Sequence, residues 1–299
     1  MPKGYKTLGL TLGGGGTKGF AHIGFYKALF ENKIPIHSIA GCSIGALIGA
    51  CIAQKKDPDE ILKVMAEFAS ETESFFRMRN FSIDKGGILK GDKEMETLEK
   101  LIPKDLTFED LPIPLVVNAV DLEKGNQVAF KTGNVLIAVR ASMSIPGVFT
   151  PVFYENKLLV DGGVLNDIPV DLCRDLGAEV QVAVDLRSFY SEQNISGLIY
   201  HFYLQNDQEK KAGVKLPKQI LQEAKLKVTF PLTILLRSVC IAEEAYREKM
   251  LKEYKPDLLI HPDVTAYSFL DTTEYLAIYG KGLEAGEQAL PKIRSAILN

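Results

Sequence analysis

What the chain has little of narrows its function before any motif is read. Its 35 basic and 38 acidic residues are well mixed and leave a formal net charge of only −3. With neither a basic excess nor a basic tail, there is no electrostatic reason to expect a nucleic-acid partner. Cysteine is sparse: Cys42, Cys51, Cys173 and Cys240 are scattered, without metal-ligand spacing, each in an apolar-periodic segment. They read as reduced, mostly buried thiols, and no metal or other cofactor is expected. The longest apolar run of the later half, Phe230 to Ala242, is interrupted by Arg237 and falls short of the roughly 20 residues that span a bilayer. Any membrane contact is therefore expected to be peripheral. Met1 to Lys6 lacks the charged and apolar regions of a secretory signal peptide, which favours a cytoplasmic protein.

The 299 residues are 46% hydrophobic, enough for a sizeable core, and one domain over 1–299 is favoured over two. Apolar alternation marks strands at Leu8 to Leu12, Ile36 to Ala40, Pro112 to Ala119, Asn126 to Lys131 and Val180 to Asp185, with a hairpin at Tyr154 to Asp161 and a last core strand over Pro256 to Pro262. Three- and four-residue apolar spacing marks helices at Phe20 to Glu31, Ala46 to Gln54, Asp57 to Ala69, Lys90 to Leu101, Asn134 to Ala141, Asp167 to Leu176, Leu232 to Tyr254 and Glu274 to Leu298. Glycines at 280, 282 and 286 and Pro291 suggest that the last helix frays at its end. Strands alternating with helices imply an α/β fold, a three-layer α/β/α sandwich on a mostly parallel sheet. Residues 188–225 carry no strand signal and read as an irregular or helical insertion. Phe75 to Phe81 and Tyr200 to Tyr203 are aromatic stretches that could serve as lids or lipid contacts, against the plainer reading of buried helix faces.

Chemistry concentrates in residues 8–50, two strand-turn-helix units whose turns both demand glycine. The first turn is Gly13-Gly14-Gly15-Gly16-Thr17-Lys18-Gly19 and the second Gly41-Cys42-Ser43-Ile44-Gly45. G-x-S-x-G between a strand and an apolar helix is the pattern of a nucleophile elbow, which leaves the Ser43 hydroxyl exposed; the alternative is a small-residue turn where helix and strand approach. Gly14-x-Gly16-x-x-Gly19 also satisfies a dinucleotide fingerprint, but the ribose-binding acid expected about 20 positions on is replaced by Ala40-Gly41-Cys42-Ser43. The N–H groups of Gly15 and Gly16 suit an oxyanion better.

A serine needs a base within hydrogen-bond reach. Among four histidines, His22 reads as a packing or capping residue, His37 lies on the wrong side of the elbow, and His201 falls in the insertion. His261 ends the last strand, the one position suited to a Ser-Asp-His order. Asp161, ending a strand before Gly162-Gly163, is the stronger candidate. Its unperturbed pKa of about 4 would need raising by burial, and a plain Asx-turn role stands beside the catalytic one.

Gly14 to Gly19, Gly41 to Gly45 and Asp161-Gly162-Gly163, in that order, resemble the three signatures of the patatin-like phospholipases, in their bacterial single-domain branch. The segments Arg140-Ala141-Ser142-Met143-Ser144-Ile145-Pro146 and Asn166-Asp167-Ile168-Pro169 resemble further family segments, so the likeness covers residues 8 to 186. The resemblance implies a patatin-like fold and a Ser-Asp dyad without histidine that hydrolyses lipid esters, phospholipid or lysophospholipid. Ser43 would be the nucleophile, Asp161 the base and Gly14, Gly15 and Gly16 the oxyanion hole. Gly41, Gly45, Gly162 and Gly163 would support the turns, and Lys18 would steady its turn or meet an anionic head group. Cys42 has no assigned role. A Ser-His-Asp esterase using His261, or a lipid- or protein-binding regulator with an idle site, remain alternatives.

Overall fold

The computed structural model describes residues 5–77, 87–89, 92–186, 231–267 and 272–298. The expected insertion at 188–225, with His201 and Tyr200 to Tyr203, lies outside the described residues. So do residues 78–86 and the side chains of Phe75 and Phe76.

Strand β1 (Leu8–Leu12) shows how residue choice places the layers. Leu8, Leu10 and Leu12 face the main core, and Gly9 and Thr11 face the other way, as strand periodicity requires. In β9 (Val180–Val184), Val180, Val182 and Val184 join the same core while Ala183 lies against the opposite layer. β1 pairs in parallel with β2 (Ser38–Gly41) on one side and β9 on the other; β10 (Leu258–Ile260) adds in parallel to β9, and β4 (Leu115–Asp121) to β2. β5 (Asn126–Phe130), β7 (Val152–Tyr154) and β8 (Lys157–Asp161) continue the sheet antiparallel. The order is β10-β9-β1-β2-β4-β8-β7, with β5 also on β4. A separate parallel pair joins β3 (Gly87–Leu89) to β6 (Gly147–Phe149).

Helices cover both faces, as the strand-helix alternation predicts. On the leucine and valine face lie α1 (Phe20–Glu31), α2 (Ile44–Ala53) and α9 (Tyr275–Leu298), with α3 (Pro58–Arg77), α4 (Asp92–Leu101) and α5 (Val135–Ser142) around them. On the small-residue face lie α6 (Gly163–Asn166), α7 (Val170–Arg174) and α8 (Pro231–Glu253). No described helix is long and apolar enough to cross a membrane.

Three expectations change. α3 extends to Arg77, eight residues past the expected end. The helix expected over Asp167 to Leu176 is confined to α7, with α6 a separate turn before it, because a proline disfavours helical backbone at the residue before it, here Ile168. The last helix does not fray. α9 runs through Pro291 with Ile293 and Ile297 buried, and the Ile297 carbonyl accepts the Lys6 N–H at 2.8 Å. Its glycines serve packing: a β-carbon added at Gly282 would lie 1.9 Å from the Ala21 carbonyl oxygen, and one at Gly24 would lie 2.1 Å from that of Tyr279. The backbones of α1 and α9 touch there.

Candidate active site

The sheet brings residues 118 apart in sequence together by a feature of β4. Val117 pairs with both Gly41 and Phe130, and Ala119 with both Val128 and Asp161. β5 therefore occupies one edge of β4, while β2 and β8 share the other. β8 runs against β2, so their C-terminal ends meet two β4 residues apart. Asp161 reaches the rim where the parallel strands end from an antiparallel strand.

Ser43 sits between β2 and α2 at φ 52°, ψ −123°, a strained backbone for a non-glycine residue. The strain persists because the turn is clamped. A β-carbon on Gly41 would lie 2.5 Å from the Gly45 carbonyl oxygen, and one on Gly45 would lie 2.2 Å from that of Leu12. Glycine at both positions lets α2 start directly against the end of β1. Ser43 Oγ donates to Asp161 Oδ2 at 2.7 Å, and Asp161 Oδ1 accepts the Gly163 N–H at 2.8 Å. The Cys42 thiol lies 3.8 Å from the same Oδ1. Burial, opposed by these hydrogen bonds, raises the Asp161 carboxyl to about 7, the range in which a carboxylate is an effective general base near neutral pH. Both Ser43 and Asp161 retain 6% exposure, so the pair is nearly enclosed.

The end of α5 and the loop that follows it hold both residues. The Ser43 N–H donates to Ser142 Oγ at 2.8 Å, and the Asp161 N–H donates to the Ser144 carbonyl at 2.9 Å. Arg140 Nη1 donates to Ser144 Oγ at 2.6 Å, tying the loop to its own helix. Ser142→Ala would leave the buried Ser43 N–H without its acceptor, at a cost of about 1–3 kcal/mol. The expected result is turnover of a soluble ester lowered about tenfold, with little change in KM. Steady-state kinetics beside a melting curve would check it.

The glycine turn lies against the elbow. The Gly13 N–H donates to Val184 O and the Gly14 N–H to Asp167 O, both at 3.1 Å. Among the described residues, the N–H groups of Gly15 and Gly16 meet no acceptor. Gly16 has φ 57°, and a β-carbon on Gly15 would lie 2.8 Å from Leu186 Cδ1. Lys18 is fully buried rather than presented at the surface, and burial lowers its ammonium to about 8. Gly162 is pressed onto Asn118, whose Nδ2 donates to the Asn166 carbonyl at 2.7 Å.

No described histidine shares a hydrogen bond with Ser43. His22 Nε2 donates to the Gly13 carbonyl at 2.8 Å, and burial holds the ring neutral, with its pKa near 4. His261 Nδ1 lies 3.2 Å from Asp185 Oδ2. Its strand stands three places from β2, on the order of 14 Å away at the usual strand spacing. The sequence reading gave no role to Ser142, Ser144, Asn118 or Asp167. The first two and the last fall in the segments 140–146 and 166–169 that carried the resemblance, which was the available signal; Asn118 had none.

Comparison with known proteins points to one family. The sequence model for the patatin-like phospholipase family matches residues 10–174. An uncharacterized NTE family protein of Mycobacterium tuberculosis is 36% identical over 179 residues, covering 60% of this chain and 49% of that protein. Lysophospholipase nte1 of Neurospora crassa is 28% identical over 296 residues, covering 97% of this chain and 18% of that protein. The chain thus spans about half the length, or less, of these relatives. The crystal structure of VipD from Legionella pneumophila aligns with 99% of this chain and 78% of its own, at 16% identity and a TM-score of 0.46.

Proposed function

Since the chain belongs to the patatin-like phospholipase family, we propose that it is a serine acyl hydrolase acting on lipid carboxyl esters through Ser43 and Asp161. The observation that carries this reading is the 2.7 Å hydrogen bond from Ser43 Oγ to Asp161 Oδ2 on a strained elbow. Ser43 Oγ attacks the ester carbonyl carbon while its proton passes to Asp161. The carbonyl oxygen takes up negative charge as the tetrahedral intermediate forms, and the Gly15 and Gly16 N–H groups, which meet no acceptor among the described residues, would hold it. Gly14 anchors that turn through Asp167 instead of donating to the oxyanion. Collapse expels the alcohol, which takes the proton from Asp161. Water, deprotonated by Asp161, then attacks the acyl-serine, and the proton passes from Asp161 to Ser43 Oγ as the fatty acid leaves.

Gly41 and Gly45 let the elbow form, Gly163 holds Asp161 through its N–H, and Gly162 keeps β8 against Asn118. Lys18 steadies the turn from inside. No step calls for a metal or cofactor. The relatives named as lysophospholipases support lysophospholipids among the candidate substrates. A fluorophosphonate probe is expected to label the protein and not its Ser43→Ala variant. In a mixed lipid extract, only the unaltered protein should convert ester lipids to free fatty acid. A folded protein that resists labelling would sink the proposal.

A further inference from the structure

The glycine run that carries the Gly15 and Gly16 N–H groups cannot hold its own shape. Close neighbours impose glycine there: a β-carbon on Gly13 would lie 3.1 Å from Ile168 Cγ1, and one on Gly14 would lie 2.3 Å from Asp167 Oδ1, a carboxyl oxygen that also borders Gly163 beside Asp161. Without side chains, such a run has more backbone freedom than any other. Its shape must come from hydrogen bonds to other elements.

Those bonds converge on one peptide unit. In the peptide that joins Gly13 to Gly14, the N–H donates to the Asp167 carbonyl at 3.1 Å and the C=O accepts from His22 Nε2 at 2.8 Å. Just before it, the Gly13 N–H donates to Val184 O at 3.1 Å. The same Gly13 carbonyl oxygen faces the elbow, 2.6 Å from where a β-carbon on Gly45 would stand. Fixing this peptide plane therefore sets the direction in which the chain leaves for Gly15 and Gly16, and how it rests on the Ser43 turn. Val184 and Asp167 hold it through backbone atoms, and His22 through a side chain from the first turn of α1.

Packing alone is a poor reason for a histidine at this place. The ring is fully buried, and because a carbonyl can only accept, the single proton of the neutral imidazole sits on Nε2. Nδ1 is then an acceptor, and among the described residues it meets no donor. A buried acceptor left unpaired is unfavourable. What histidine adds, and an apolar side chain of similar size would not, is the N–H aimed at Gly13.

We infer that His22 is a positioning residue for the oxyanion hole: its Nε2–H locks the peptide between Gly13 and Gly14, so that the Gly15 and Gly16 N–H groups stay aimed at the oxygen that becomes negative beside Ser43. This rests on the acyl hydrolase reading and gives the ring no part in proton transfer. Acylation and deacylation both pass through that oxyanion. A loosened turn therefore slows turnover whichever step limits it, while ground-state binding of the ester is nearly unchanged.

The test compares His22→Leu, which has no donor, with His22→Gln, whose amide nitrogen stands as many bonds from the backbone as Nε2. With p-nitrophenyl butyrate as a soluble ester, His22→Leu should lose about tenfold or more in kcat with KM within about twofold, a smaller loss than the roughly 10²–10³-fold of deleting an oxyanion donor outright. His22→Gln should return kcat to within about threefold of the unaltered protein. A folded His22→Leu that loses less than this, or whose loss lies in KM, overturns the inference, and so does a folded His22→Gln no faster than His22→Leu. In each of these cases an active unaltered protein leaves the hydrolase reading standing. His22→Met replaces the leucine variant if that one does not fold. If neither folds, the glutamine variant decides alone: kcat within about threefold of the unaltered protein sustains the inference, and a slower folded variant overturns it. An unaltered protein with neither esterase activity nor fluorophosphonate labelling overturns both readings.

Discussion

Asp161→Asn should lower the turnover of any ester substrate by about three orders of magnitude or more while leaving the protein folded. Asparagine preserves the shape of the group and can still accept the Gly163 N–H, but it cannot take the proton from Ser43 Oγ. General-base catalysis contributes about 10²–10⁴-fold, and here the base also holds the nucleophile at 2.7 Å, so the upper part of that range is expected. Stability should move the other way. The folded-state pKa of Asp161, about 7, lies above its ordinary value of 3.8. The fold therefore favours the protonated form, and stability is lost as pH rises from the ordinary carboxylate range to about 7. Removing that ionisation should leave the variant melting no lower than the parent at pH 8. His261→Ala is the companion control. With its ring on Asp185, its loss should change turnover by no more than about twofold. A large loss with His261→Ala and a small one with Asp161→Asn would assign the base to the histidine.

Gly282→Val should be among the most destabilising single changes outside the active site. Its β-carbon would lie 1.9 Å from a backbone oxygen of α1, and no rotamer relieves a clash between backbone-linked atoms. The two helices would have to separate, at a cost of about 3 kcal/mol or more. That corresponds to a loss of roughly 5–10 °C in Tm for a chain of this size. Gly280→Ala, two residues away and with nothing within 4 Å of the new carbon, should instead be neutral or stabilise by up to about 1 kcal/mol. Thermal melts of the two variants test whether contact or glycine content matters in this helix.

That pair of glycines marks a limit of the sequence. Propensity correctly assigns both as weak helix formers, and from this the last helix was expected to fray. What propensity cannot register is a second backbone lying against one of them: Gly24 and Gly282 are 258 residues apart, and their fit is a property of the crossing between helices. The same limit applied to Asp167. It stood in a recognised segment, but its position against Gly14 and Asp161 depends on how α6 and α7 divide at Pro169.

The sequence by itself determined the local chemistry: a glycine-rich turn, a serine elbow with glycine at each flank, and an aspartate before Gly162-Gly163. Each is dictated within a few residues by backbone sterics and strand or helix periodicity, and so was legible without coordinates. Only the tertiary structure decided how they meet. β2 and β8 share one edge of β4 and run toward each other, and this pairing carries Asp161 to within 2.7 Å of Ser43. It also leaves His261 three strands away and sets a second carboxyl beside the first. Strand order and direction are set by burial across the whole sheet, and no local pattern encodes them.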